Sequence, residues 1–475
     1  MKLRDLAGVD SDSEVTGFAI DHRKVAAGSI FGAFKGAVFN GEDFIPDAVE
    51  RGAVAVVARA EADVQQVPHL GGGEPRRLFA QLASRFYGPY PETVVAVTGT
   101  NGKTSTVEMT RQLWRMAGHR SASIGTLGVT TSDDQVKTGL TTPDIVTFLN
   151  NMAGLKRMGI SHVAYEASSH GLDQHRAEGV PLKAAAFTNF SRDHLDYHPS
   201  MDAYFEAKMR LFDELLPADG TAVIWADDPK SAEVIERVGR RGIATMTVGR
   251  AGEAIRLIEQ SPTALGQTLV LEHEASTYRL ALPLIGAYQA ANVLVAGALT
   301  MATGTTFERV FSAMQRLAPV RGRLERAVIS RAGAPVYIDY AHTPDALEAA
   351  IAALRPHVRN RLITVFGAGG DRDQGKRPEM GAVAARLSDV VIVTDDNPRG
   401  EDPGAIRSAV LAGAPGAKEI GGRREAIAEA IRMAGEGDII LVAGKGHETG
   451  QIIGAGANAR VLPFDDALVA RECAA

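Results

Sequence analysis

Short apolar runs, each ending in a polar or glycine-rich turn, recur along the chain. AVAVVA occupies 53–58, TVVAV 93–97, HVAYEAS 162–168, AAAFTNF 184–190 and TAVIWA 221–226. Runs of this length, rich in valine and other β-formers, predict buried strands. Stretches of helical period lie between them, and that alternation predicts an α/β fold with a mostly parallel sheet. The last third repeats the pattern. APVYIDYA, RLITVFGAGG, DVVIVTDD and DIILVAGKG read as strands, and PDALEAAIAALRP as a helix, giving a second, doubly wound, Rossmann-like α/β unit. In such sheets ligands bind beyond the carboxyl ends of the strands. DYAHTP, GAGGDRDQGKRP, TDDNPRGEDP and GKGHE each follow directly on one of these four strands.

The pattern breaks twice. GPYP at 88–91 disfavours helix or strand, and a new block opens near Pro319 in APVRGRLE. A chain of 475 residues exceeds one hydrophobic core and suggests about three domains. The expected division is 1–88, 89–317 and 318–475. Apolar residues at 45% and charged residues at 23% fit an ordinary globular protein. A net charge of -6 argues against non-specific binding to nucleic acid or anionic membranes. The single cysteine, Cys473, allows neither an intrachain disulfide nor a thiolate metal cluster. With no signal-peptide core and no apolar run near the ~20 residues of a membrane span, the expectation is a soluble, cytoplasmic protein.

The strand TVVAV runs into Gly99-Thr100-Asn101-Gly102-Lys103-Thr104-Ser105 and then a helical pattern. A loop so placed aims backbone N–H groups and a helix N-terminus at phosphate oxygens. Lys103 adds a point charge, and the Thr104 hydroxyl can ligate Mg²⁺. The usual spacing has a glycine where this chain has Val97, so the loop is a shortened variant. With 50 glycines, a bare GxxGK[ST] arises by chance in roughly a few per cent of chains. Placement between strand and helix favours nucleotide binding. The loop alone does not separate hydrolase, kinase and ligase.

Glu166 ends a strand, where a carboxylate can hold a second Mg²⁺. His194 follows another strand, and Lys208 lies in the helical YFEAKMRLF. Read singly, these are a capping acid, a turn residue and a solvated lysine. The strings VTGTNGKTS, EASSHGL, NFSRDHLDYH, YFEAKMRLF, DYAHTPDAL, GGDRDQGKRPEM, DDNPRG and GKGHE, in this order, resemble the Mur ligase family over nearly the whole chain. The resemblance implies a UDP-binding domain, a central ATPase and a C-terminal Rossmann-like domain. It implies an ATP-dependent, amide-forming ligase. ATP phosphorylates a carboxylate of a UDP-N-acetylmuramoyl dipeptide, and an amino acid's amine attacks the acyl phosphate.

On this resemblance Gly99 to Ser105 handle the ATP phosphates. Glu166, His194 and Lys208 match the second-metal residues, Lys208 as a carbamate. Asn292 matches an adenine-side asparagine, although YQAAN departs from the usual asparagine-rich string. Arg323, Asp339 and His342 are implied to approach ATP from the C-terminal domain. Thr141, Thr142, Ser168, Gln174, Arg176 and Lys208 are implied for the UDP-linked acceptor. His22 joins them from Asp21-His22-Arg23, where relatives read Asp-Ser-Arg, and Leu140 stands where some have asparagine. Asp396-Asn397-Pro398-Arg399 matches members that add meso-diaminopimelate. A guanidinium can grip the far carboxylate that lysine lacks. Arg372 would hold the near carboxylate, with Gly444 and Glu448 around the far amine. The partners implied are small molecules, and the protein is expected to be a monomer.

Three alternatives remain at this point. The same ligation could use L-lysine, though Arg399 would repel its ammonium. A folylpolyglutamate synthetase shares the loop but would lack DNPR. A P-loop regulator would bind nucleotide without forming a product.

Overall fold

The computed structural model describes every residue except 37–38, 137–138, 196, 264–265 and 372. Arg372 therefore lies outside the described residues. Two compact units are formed, Met1–Thr247 with Val295–Phe307, and Val248–Leu294 with Glu308–Ala475.

The first unit begins with a parallel four-stranded sheet, Gly17–Ala19, Ser29–Gly32, Ala53–Ala58 and His69–Gly71 in that order. Helix Pro75–Tyr87 buries Phe79, Ala80, Leu82 and Ala83. Phe79 meets Phe18 of the first strand edge to face at 5.2 Å. A larger parallel array follows in the order Thr221–Trp225, Ala184–Phe187, Thr93–Thr98, His162–Glu166 and Ser121–Gly125. Its central strands are apolar on both faces, as burial under helices on both sides requires. The pairing Val97↔Glu166 sets Glu166 beside the end of the strand that feeds the phosphate loop. That loop continues into helix Lys103–Met116, whose fully buried Trp114 donates its indole N–H to Thr303 at 2.9 Å.

The second unit holds an antiparallel meander, Ile255–Thr263, Gly266–His273 and Ser276–Leu282. It also holds a six-stranded sheet in the order Glu325–Ile329, Pro335–Asp339, Ile439–Ala443, Leu362–Phe366, Val390–Val393 and Lys418–Glu419. Only the first pair is antiparallel. Strand alternation sorts its side chains into two cores. Leu362, Phe366 and Leu441 pack with Leu347, Met380 and Ile406. Ile363, Val365, Ile440 and Val442 pack with Ile427, Ala430 and Val469 on the other side. Helices thus cover both faces, the doubly wound arrangement expected from the sequence. The strands with ends at Asp339, Phe366, Val393 and Ala443 carry the four polar motifs.

Candidate functional site

In the first unit the phosphate loop needs glycine at both ends. Gly99 has φ 143° and Gly102 φ 85°, and a Cβ on Gly99 would overlap the Thr188 hydroxyl. The next strand end braces the loop. Thr100 N–H donates to the Asn189 carbonyl at 2.9 Å and Asn101 N–H to Asn189 Oδ1 at 2.8 Å. Thr188 Oγ1 donates to the Asn101 carbonyl at 2.6 Å. Lys103 Nζ donates to the Gly99 and Thr100 carbonyls, both at 2.9 Å, while Thr104 and Ser105 are buried in the first helical turn.

Lys208 is no solvated lysine. It is 1% exposed, it donates to the Gly99 carbonyl at 2.8 Å, and its Nζ stands 4.3 Å from the Tyr204 ring centroid. Burial first, and the neighbouring Lys103 second, push its amine well below the usual lysine value. Burial likewise lowers His194 to about 4, with Lys103, His170 and Lys208 adding to the effect against Asp193. Its imidazole is therefore neutral near pH 7 and able to act as a ligand. His194 lies edge-on to His170 at 4.8 Å. The Glu166 carboxylate accepts from Thr126 N–H at 2.7 Å and from Thr126 Oγ1 at 3.2 Å. Among the described residues, no three His, Cys, Asp or Glu side chains form a ready metal cage.

Around the same strand end, most of the residues that the sequence analysis singled out for an acceptor form one network. Thr142 Oγ1 donates to the Glu166 carbonyl at 2.7 Å and meets Ser168 Oγ at 3.0 Å. Thr141 Oγ1 meets Thr126 Oγ1 at 3.1 Å. Arg176 donates to the Thr142 carbonyl at 3.2 Å and through two nitrogens to Gln174 Oε1 at 2.7 and 3.1 Å. Gln174 and Arg176 line a cavity of about 100 Å³ with Ile20, Phe34, Arg76 and Leu140. Arg76, which sequence reasoning missed, sits 4.8 Å over the Phe34 ring and donates to the Lys35 carbonyl at 3.1 Å. His22 does not line this cavity; it stacks on Phe44 at 4.3 Å.

The second unit holds Asn292, Arg323, Asp339 and His342, which the sequence analysis expected on the nucleotide side. Asn292 donates to Gln289 Oε1 at 3.1 Å, and Gln289 donates to the Arg323 carbonyl at 3.4 Å. The Arg323 guanidinium lies 4.5 Å from the Tyr340 ring centroid. Asp339 accepts from Leu324 N–H at 2.7 Å and Ala341 N–H at 2.8 Å, and burial raises its carboxyl above the usual range. His342 opens the turn into helix Pro344–Leu354, its Nδ1 2.9 Å from the Tyr340 carbonyl.

In the same unit Asp396-Asn397-Pro398-Arg399 and Gly444–Glu448 meet. Asn397 Nδ2 donates to Glu448 Oε2 at 2.9 Å. Gly444 takes φ 116°, and a Cβ there would stand 2.9 Å from Asp396 Oδ2. Arg399, at φ 50°, donates a guanidinium N–H to the Gly370 carbonyl at 2.9 Å. Its backbone joins the hairpin Gly450–Ile453/Arg460–Pro463, with Arg399 N–H donating to the Ile452 carbonyl at 3.1 Å. Pro398 is placed by Gly370, where a Cβ would overlap the Pro398 carbonyl.

Comparison with known proteins agrees over the whole chain. Residues 14–87 match the Mur ligase family catalytic domain, 97–300 the Mur ligase middle domain, and 322–446 the Mur ligase glutamate ligase domain. A UDP-N-acetylmuramoyl-L-alanyl-D-glutamate–2,6-diaminopimelate ligase of Zymomonas mobilis is 58% identical, over 98% of this chain and 96% of its own. One of the same name from Bradyrhizobium diazoefficiens is 50% identical, over 98% and 97%. A solved structure of a ligase of that name superposes with TM-score 0.73 at 31% identity, covering 100% of this chain and 98% of its own. A folylpolyglutamate synthase of Mycobacterium tuberculosis shares the fold at TM-score 0.63 and 20% identity, over 78% of this chain and 92% of its own. The strand-end motifs, the braced phosphate loop and these matches together place the chain in the Mur ligase family.

Proposed function

We propose that this protein adds meso-2,6-diaminopimelate to UDP-N-acetylmuramoyl-L-alanyl-D-glutamate, a cytoplasmic step of peptidoglycan precursor synthesis. ATP is consumed, and ADP and phosphate are released. The observation that carries the reading is the hydrogen bond between Asn397 and Glu448, which follow the two strands flanking Leu362–Phe366, with Arg399 anchored on the Gly370 carbonyl, in a chain 58% identical to a ligase named for that amino acid. Residues 1–88 form the UDP-binding domain, 89–317 the ATP-binding domain and 318–475 the amino-acid-binding domain, acting as a monomer.

A carboxylate is a poor electrophile, so the D-glutamyl γ-carboxylate is first phosphorylated by ATP. Gly99 to Ser105 hold the transferring phosphates, and the Lys103 charge stabilises the oxygens as charge develops. Thr141, Thr142, Ser168, Gln174 and Arg176, with His22, hold the acceptor. Asn292, Arg323, Asp339 and His342 serve the nucleotide. The incoming amine attacks the acyl phosphate, and the tetrahedral adduct collapses to amide and phosphate. Arg399 binds the far carboxylate, Glu448 the far ammonium, and Arg372 the near carboxylate.

Bound magnesium would neutralise charge on the phosphoryl oxygens. Thr104, Glu166 and His194 are suitable donors, and Lys208 suits only once its amine has taken up carbon dioxide. The buried Lys208 amine, held well below the usual lysine value, fits that chemistry: once deprotonated, its lone pair forms an N–C bond to CO₂ as a C–O π bond opens, and the N–H proton leaves to solvent. The test is phosphate release from ATP with the UDP-linked dipeptide, comparing meso-diaminopimelate with L-lysine. Release that needs the dipeptide and prefers diaminopimelate is expected. Equal use of lysine would overturn the amino-acid assignment.

A further inference from the structure

Lys445, in GKGHE, is fully buried with its side chain 0% exposed, yet no role in binding or chemistry has been given to it. Its Nζ donates to Asn397 Oδ1 at 2.9 Å and to Glu448 Oε2 at 2.9 Å, and lies 3.5 Å from Asp396 Oδ1. Asn397 Oδ1 also accepts from Ile452 N–H at 2.9 Å, and Asn397 Nδ2 donates to the same Glu448 oxygen at 2.9 Å. Lys445 therefore fixes which way the Asn397 amide faces and where the Glu448 carboxylate stands. A buried lysine with this set of partners is a hub, since removing it takes one charge-assisted hydrogen bond from acceptors on two loops at once.

The charges around it balance in a telling way. Asp396 and Glu448 supply two negative charges, and Lys445 and Arg399 supply two positive ones, so these four described side chains, assigned to the far end of the amino acid, sum to zero; the nearby Arg423 is offset by Asp466. The far end of meso-diaminopimelate, one ammonium and one carboxylate, is neutral as well. The far end of L-lysine is a lone cation. We propose that Lys445 is a positioning and specificity-determining residue that keeps the far end of the amino-acid pocket neutral and so selects a zwitterionic over a cationic side-chain end. The inference rests on the amino-acid site proposed above.

The test is Lys445→Met, which keeps the length and apolar stem but removes the charge. Steady-state constants for meso-diaminopimelate and L-lysine are compared with those of the unaltered protein. The far end of the pocket then carries one net negative charge. The ratio of kcat/KM values should shift toward lysine by on the order of tenfold to a hundredfold, as expected for one unit charge a few ångströms away in a half-screened site. The KM values for ATP and the UDP-linked dipeptide should not move. The double variant Lys445→Met/Glu448→Gln restores neutrality by removing the carboxylate that has lost its cation, so the preference should return toward diaminopimelate. It also serves if the single variant does not fold. A general loss of activity with the ratio unchanged, or no return in the double variant, overturns the inference while leaving the site reading intact. No preference for diaminopimelate in the unaltered protein overturns both.

Discussion

Replacing Arg399 tests the amino-acid site most directly. The side chain is half-buried, and one of its N–H groups is held by the Gly370 carbonyl at 2.9 Å. A guanidinium so anchored can still offer a two-point grip to a carboxylate. Hydrogen bonds to charged groups contribute about 1.5–3 kcal/mol each, and partial exposure favours the low end. Two such bonds give about 3 kcal/mol, or roughly 150-fold in kcat/KM for meso-diaminopimelate. L-Lysine lacks the far carboxylate and should lose nothing when the guanidinium is removed. Arg399→Ala should therefore cut the preference for diaminopimelate about 150-fold, mostly through KM. Arg399→Lys should recover only part of it, because an ammonium is a point charge without the fork. The assay is ADP release under initial-rate conditions with each amino acid in turn. A preference unchanged within threefold in Arg399→Ala would refute the assignment.

Lys208→Ala should abolish ligation while nucleotide still binds, and a short-chain carboxylate should restore part of the rate; full activity of the unrescued variant would remove the carbamate role. Gly370→Ala should raise the KM for the amino acid at least tenfold with little change for ATP, since its Cβ would overlap the Pro398 carbonyl, a backbone atom that can yield only by moving the loop. His162, stacked on His119 at 4.1 Å, is lowered to about 4, chiefly by burial and then by His119. The unfolded chain takes up that proton near pH 6.5 and the folded one only near 4, so stability should fall as pH drops through this window, by on the order of 3 kcal/mol. Urea unfolding at pH 6.5 and 4.5 should show a smaller decline in His162→Gln than in the unaltered protein; equal declines would dismiss His162 as the source.

The apolar runs were legible because each is short, β-branched and closed by a polar turn. TVVAV, HVAYE, LITVF and IILVA all became parallel strands near the centre of their sheets. The meander 255–282 was not, because IRLIEQSPT alternates only in its first residues and is largely exposed beyond them. The candidate site divides in the same manner. Glycine-marked loops and strand-end acids announce themselves, since backbone geometry restricts what can stand there. Lys445 and Arg76 carry no such mark. A lysine in GKG and an arginine after Pro75 look like solvated cations until the fold shows one buried against two carboxylates and the other over an aromatic ring. Asn189 is similar: its role as a brace for the phosphate loop depends on a partner 88 residues away.

Backbone conformation joins these separate regions in one physical pattern. Eight described non-glycine residues have positive φ, and five of them, His175, His194, Leu324, Asp371 and Arg399, fall on or beside the proposed ligand-binding positions. Each such conformation costs about 1–3 kcal/mol and lasts only where neighbours impose it. The neighbours are visible. Leu324 N–H is held by the Asp339 carboxylate at 2.7 Å. Asp371 N–H donates to Glu401 Oε1 at 2.6 Å, and its own carboxylate accepts from Gly400 N–H at 3.0 Å. Arg399 is pinned from both sides by Ile452 and Gly454. His194 N–H donates to the preceding Asp193 carboxylate at 2.8 Å. Turns that relaxed to ordinary φ would swing the following side chains away from the strand ends. The strain is thus spent on holding side chains in place before substrate arrives, which lowers the ordering cost of binding.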